Sequence, residues 1–316
     1  MAMAHIAAKP RQFRSTVLNS RRIFVRPLLI LAAAALFSVG STVRAAEEAG
    51  STKNSSAVTK TDPNLTPVVR SILQNEVRAQ AEDKSQWCYR KLVEKDGKRE
   101  LFASCQTQGE EIDRLMAENG KPLTQKQWQQ EDERIRKLLA NPYQLRKQKQ
   151  QQMEDARQAT NMLKMIPSAF LFQQLSRDAE RITLKFVPNP QFHPWGSSEV
   201  VFHHMEGTLT LDLQQKRLVE ISGRLTSDVK FLGGLLGHLD QGGTFFVRQE
   251  QVKPGRWEMT KMDVQMNGKA LFFKTIAVRT YELDTDFHAV PAATSIQQIA
   301  ALTNETSRQN LTRSER

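Results

Sequence analysis

Along the second half of the chain, apolar and polar side chains alternate. Phe170, Phe172 and Gln174 interleave with Leu171 and Gln173; Ile182, Leu184 and Phe186 with Thr183 and Lys185; and Leu209, Leu211 and Leu213 with Thr208, Thr210 and Asp212. A period of two belongs to a strand with one apolar and one wet face. Further strands are predicted over 217–230, 244–251, 257–266 and 270–284, the last two joined at Asn267-Gly268, a dipeptide suited to a two-residue hairpin turn. Most of these segments follow one another with no helix between them. They therefore pair antiparallel, because a parallel pair needs a long crossover.

The first half reads differently. Leu65, Val68, Val69, Ile72, Leu73 and Val77 recur at helical spacing behind Asp62-Pro63, which predicts an amphipathic helix over 64–82. Two strand-like runs, from Trp87 to Val93 and from Arg99 to Cys105, flank Asp96-Gly97, where a two-residue turn fixes the register. Counting outward from Lys95 opposite Lys98, Cys88 falls opposite Cys105 at a non-hydrogen-bonded position, where Cα atoms lie about 4.5 Å apart, within disulfide range. A third strand is predicted over Ile112 to Ala117, and Thr124 with Gln127 forms a capping box for a helix. Residues 125–165 read as helical, broken at Asn141-Pro142. Residues 292–316 are small and polar and are expected to fray.

Composition and charge change the picture chiefly at the N-terminus. The chain has 316 residues and a formal net charge of +11, but seven of those surplus charges lie in residues 1–45, which contain no acid. The remainder carries 38 basic against 34 acidic groups, too even a balance for a focused phosphate-binding field, so a nucleic-acid partner is not expected. Within 1–45 a basic stretch precedes the apolar run from Pro27 to Gly40 and the small-residue end Val43-Arg44-Ala45. That order is a cleaved secretory signal peptide, and the run falls short of the roughly 20 apolar residues of a spanning helix. Ser20-Arg21-Arg22-Ile23-Phe24-Val25-Arg26 also fits a twin-arginine signal, leaving that route and general secretion both open. Residues 46–62 read as a flexible tether. Export to the periplasm favours pairing of Cys88 with Cys105 as a structural disulfide over two free thiols or a redox pair.

Little in the chain suggests chemistry. His193, His203, His204, His238 and His288 show no metal-ligand spacing, no nucleophile elbow accompanies them, and the glycines of 231–238 lack the Lys-Ser/Thr of a phosphate loop. Neither a catalytic residue, nor a metal, nor a cofactor is expected. The segment 231–238 reads as an apolar loop at the lip of a cavity. What remains is apolar surface. The strand face bearing Phe170, Phe172, Ile182, Leu184, Phe186, Leu209, Leu211 and Leu213 must be covered by helices or filled by a ligand.

Several strings carry a family resemblance: Asn119-Gly120-Lys121-Pro122-Leu123 entering a charged helix, Met165-Ile166-Pro167-Ser168-Ala169-Phe170 entering a strand, Phe186-Val187-Pro188-Asn189-Pro190, Glu206-Gly207-Thr208-Leu209-Thr210-Leu211-Asp212, and Ala270-Leu271-Phe272-Phe273-Lys274. With the leader and the N-terminal helix and hairpin, they resemble the LolA-like periplasmic outer-membrane lipoprotein carriers and sorting proteins over roughly 63–291. The resemblance implies an α+β fold, an unclosed antiparallel β half-barrel of about 10–11 strands with helices over its concave face. It also implies that the eight apolar residues above line a cavity for acyl chains of a lipid or lipoprotein. The charged, Gln-rich excursion at 121–166 is the candidate surface for an envelope protein partner, should the same fold serve as an interaction or stress-sensing module with its cavity plugged.

Overall fold

A computed structural model describes residues 61–304 apart from 108, 235, 236 and 271–273. The expected leader and all but the last two residues of the expected tether lie outside the described residues.

The chain begins with α1 (Leu65–Glu82), followed by β1 (Trp87–Lys95), β2 (Lys98–Thr107), β3 (Glu110–Glu118) and the two-residue β4 (Lys121–Pro122). Two helices come next, α2 (Gln125–Leu139) and α3 (Pro142–Ala169), then β5 (Phe170–Arg177) and β6 (Arg181–Pro188). A 3-10 stretch, Ser197–His204, leads into β7 (Met205–Asp212), β8 (Arg217–Leu225), β9 (Val229–Phe231) and β10 (Gly237–Leu239). The long strands β11 (Thr244–Lys253), β12 (Arg256–Ala270) and β13 (Lys274–Ala289) follow, and a last helix, α4, covers 296–304.

These strands form one antiparallel sheet in the order β4-β3-β2-β1-β13-β12-β11-β8-β7-β6-β5, with the small pair β9 and β10 attached to β12. The path has two ends and does not close. Neighbours in sequence are mostly neighbours in space, as short turns require. The junction that spans most of the chain is β1 against β13, which ties the N-terminal hairpin to the C-terminal strand.

Local chemistry accounts for the elements. Asp96 and Gly97 both take positive φ, 51° and 77°, which gives the turn that pairs Lys95 with Lys98 and carries the register to Cys88 opposite Cys105. Those cysteines form a disulfide with Cα atoms 4.1 Å apart. The Thr124 and Gln127 capping box starts α2, and Asn141 caps α3 by accepting from the Gln144 amide at 3.0 Å. α3 runs through Pro167 to Ala169; in the last turn the proline removes one donor without breaking the helix, and β5 begins at the next residue. α2 lies along the outer edge of β3: Glu131 accepts from the Leu115 amide at 2.8 Å, and Arg134 donates to the Asp113 carbonyl. Side chains of a helix thereby satisfy an edge that otherwise invites pairing with another chain.

Three expectations need correction. Asn267-Gly268 is no hairpin turn; both residues lie inside β12, opposite Ala277 and Ile276 of β13. The glycine is there for close approach, since a Cβ on Gly268 would lie 2.2 Å from the His238 carbonyl oxygen of β10. Residues 231–238 are likewise not a plain loop, because β9, a 3-10 turn and β10 occupy most of them. The tail expected from 292 onward holds α4, where Ser295 and Gln298 form a reciprocal cap. Its Ile299 and Ala300 pack with Cys88, Cys105 and Ile112 and with Ile135 and Leu138 of α2. Ile296, Ile299, Ala300 and Leu302 do fall at helical spacing, but so short a run is easily overlooked beside the polar residues that flank it.

The main hydrophobic core is a single cluster on one face of the sheet. Leu65, Val69, Ile72 and Leu73 of α1 and Met162, Leu163 and Ile166 of α3 meet side chains from β5, β6, β7, β8, β11 and β12 there.

Candidate functional site

The sequence-selected apolar residues do come together. Phe172 stands opposite Phe186, Leu184 opposite Leu209, and Ile182 opposite Leu211, so alternation along each strand becomes one continuous apolar face across β5, β6 and β7. Phe170 packs its ring 4.6 Å from that of Phe186 and 5.5 Å from that of Phe202. Phe170, Phe172, Ile182, Leu184, Phe186, Leu209 and Leu211 are no more than 2% exposed, and Leu213, just past β7, is partly buried against the same cluster. Leu65, Val69, Ile72 and Leu73 of α1 and Met162, Leu163 and Ile166 of α3 belong to the same buried cluster.

What holds α1 there is polar. Glu76 continues the buried stripe of the helix, three residues after Leu73 and four after Ile72, and is fully buried. Its carboxylate accepts from Arg217 Nε at 2.8 Å, from Arg217 Nη2 at 3.0 Å and from the Leu218 amide at 3.0 Å. Such a two-pronged guanidinium contact is the strongest form of charge-assisted hydrogen bond. Asn75 adds bonds to the carbonyls of Gln215 (3.3 Å) and Lys216 (3.0 Å) in the β7–β8 turn. Arg217 also lies over the ring of Trp257, 5.5 Å from its centroid, and Trp257 Nε1 donates to Gln215 Oε1 at 3.0 Å. A buried carboxylate thus fastens the helix to the sheet through one arginine. Sequence reasoning passed over Glu76, although a lone acid on an otherwise apolar stripe was the available signal.

A second buried charge sits on the β1–β3 side. Lys91 donates to Glu111 at 3.1 Å and to Asp113 at 2.9 Å, Ser104 donates to Asp113 at 2.6 Å, and the Tyr89 hydroxyl donates to Glu111. Burial opposes the Lys91 charge, yet Asp113 and Glu111 overcome it and hold the ammonium protonated well above its usual range. These bonds make the network a structural tie between the first three strands.

His203 and His204 occupy the end of the 3-10 stretch; burial lowers the pKa of both, and for His204 the neighbouring His203 adds repulsion. His204 Nδ1 lies 2.7 Å from Ser227 Oγ at an exposed position. His238 contacts Asp240 at 3.1 Å. No group of three or more potential metal ligands occurs among the described residues. No helix among them is long and apolar enough to cross a membrane.

Comparison with family models, curated proteins and solved structures gives no match. The disulfide is compatible with an oxidising, extracytoplasmic setting.

Proposed function

We propose that this protein is a non-catalytic binding protein of the cell envelope, exported to the periplasm, that holds acyl chains of a lipid or lipoprotein on the apolar face of its sheet. In this reading the sheet curves as a half-barrel, α1 and α3 cover its concave side, and α1 is the element that yields. The observation that carries it is the pairing of a broad apolar face with a helix fastened to it through Glu76 and Arg217. An acyl chain contributes about 0.8 kcal/mol per buried CH₂, enough to compete with the aliphatic side chains of α1 for the same surface.

A second reading keeps the face permanently filled and makes the protein an interaction or sensing module that contacts an envelope protein through the 121–166 helices. Near-complete burial of the face by the protein's own side chains favours it.

Titration with the fluorescent fatty acid 11-(dansylamino)undecanoic acid separates the two. If α1 yields, wild type takes up the probe saturably and Glu76→Ala takes it up more tightly, because the binding-competent state is more populated. Absence of uptake by both proteins, with circular dichroism showing both folded, contradicts acyl binding and leaves the interaction reading.

A further inference from the structure

From Arg134 to Met153 the chain carries no acid, and over those 20 residues it places Arg134, Arg136, Lys137, Arg146, Lys147 and Lys149. The stretch forms the corner where α2 turns into α3. Carboxylates just upstream answer the bases of α2: Arg134 pairs with Glu131 at 2.7 Å, and Glu133 pairs with Arg136 and, at 3.5 Å, with Lys137. Farther along α3, Arg157 pairs with Glu154 at 2.7 Å. Between these pairs Arg146, Lys147 and Lys149 are exposed, and no ion pair reaches them among the described residues.

Helical geometry gathers the side chains. At 3.6 residues per turn, Tyr143, Arg146, Lys147, Gln150, Met153 and Arg157 share about 120° of the α3 surface, with Lys149 at its margin. The opposite side of the helix carries the buried Gln152, Ala159, Leu163 and Ile166. Tyr143 and Met153 are 70% and 63% exposed, among the most exposed large apolar side chains of the described residues. The stripe thus combines three uncompensated charges with two apolar groups that the fold leaves in solvent. Charge complementarity calls for an anionic partner. Apart from Tyr143 the stripe is built of long, unbranched side chains, and a rigid protein surface would have to freeze their rotamers at an entropic cost. Fluid headgroups accept Lys and Arg without fixing them, and the layer beneath takes up the apolar bodies of tyrosine and methionine.

We propose that the outward stripe of α3 docks the protein on an anionic phospholipid bilayer, with Arg146, Lys147 and Lys149 among the headgroup phosphates and Tyr143 and Met153 at the edge of the acyl layer. The stripe lies on the far side of α3 from the main apolar cluster, so docking holds whether or not that cluster takes up acyl chains. Each base near an anionic surface strengthens binding about fivefold, and three multiply to about a hundredfold.

The test is cosedimentation of the full chain with vesicles of phosphatidylglycerol mixed equally with phosphatidylcholine, and with vesicles of phosphatidylcholine alone. Two triple variants lose the same charge: Arg146→Gln with Lys147→Gln and Lys149→Gln on the stripe, and Lys98→Gln with Lys121→Gln and Lys230→Gln at exposed positions elsewhere. Wild type should prefer the anionic vesicles by at least about tenfold and release them as salt rises. The stripe variant should bind about a hundredfold more weakly and the other variant only a few-fold, while Tyr143→Ser with Met153→Ser should weaken binding several-fold at constant charge. These side chains lie outside the core, so melting temperatures should match wild type. Fatty-acid uptake should also be unchanged in the stripe variant, which separates loss of docking from loss of acyl binding. Failure of wild type to bind anionic vesicles overturns the proposal, as does equal loss in the two triple variants, which would mean attraction by net charge alone. Undiminished vesicle binding by the stripe variant overturns it too and leaves the stripe to a protein partner.

Discussion

The Glu76 carboxylate and the Arg217 guanidinium are buried together, with side-chain exposures of 0% and 9%. Replacing Glu76 by alanine leaves the arginine charge and the Leu218 amide without their acceptor, and breaking one partner of a buried pair costs about 3–5 kcal/mol. The double replacement Glu76→Leu with Arg217→Met removes both charges and should recover most of that loss, since a buried pair is often replaceable by apolar groups of similar volume. The coupling between the two positions should therefore be large, on the order of 2–3 kcal/mol. Urea unfolding followed by circular dichroism measures the four members of the cycle, wild type, Glu76→Leu, Arg217→Met and the double variant, with Glu76→Ala beside them. The four aliphatic residues of α1 still bury their side chains in Glu76→Ala, so the helix should stay attached but open more often. At 1.4 kcal/mol per factor of ten, a 3 kcal/mol loss confined to helix docking raises the open population by roughly a hundredfold. A loss below about 1 kcal/mol in Glu76→Ala, or a double variant no better than the single ones, would refute the latch.

Removing the disulfide by Cys88→Ala with Cys105→Ala should cost about 3 kcal/mol in urea unfolding, as expected for a closed loop of this length, and a reducing agent should lower the wild-type midpoint similarly. Gly268→Ala forces a Cβ to within 2.2 Å of the His238 carbonyl and 2.9 Å of the Leu239 Cα, so β10 must shift off β12; a loss of about 3 kcal/mol is expected, with amide exchange accelerated at 237–239. Burial keeps the pKa values of His204 and His203 below the ordinary 6.5, so the unfolded chain binds their protons first. Stability from this source is complete above about pH 6.5 and declines as pH falls through the depressed folded values. The urea midpoint should drop over that interval, and His203→Gln with His204→Gln should flatten the slope.

Features set by near neighbours in sequence were legible before the fold was known. The Asp96-Gly97 turn dictates the β1–β2 register residue by residue, and that alone places Cys88 against Cys105. Period-two alternation identified the apolar face of β5, β6 and β7, and the Thr124 and Gln127 cap located α2. What failed depended on partners distant in sequence. Asn267-Gly268 has the chemistry of a turn, but the approach of β10 from some 30 residues upstream makes the glycine a contact point inside a strand. α4 is stabilised by the disulfide region and by α2, neither of which its own residues announce. Glu76 stands out as a lone acid on an apolar stripe, but its partner Arg217 lies 141 positions later and nothing near Glu76 announces it.

Native mass spectrometry of the protein isolated from its host without detergent, compared under mild and denaturing conditions, tests the central claim most directly. Acyl binding predicts an added mass that is lost on denaturation and resolves to a lipid or an acylated peptide. A bare chain under mild conditions that also takes up no added fatty acid would contradict it.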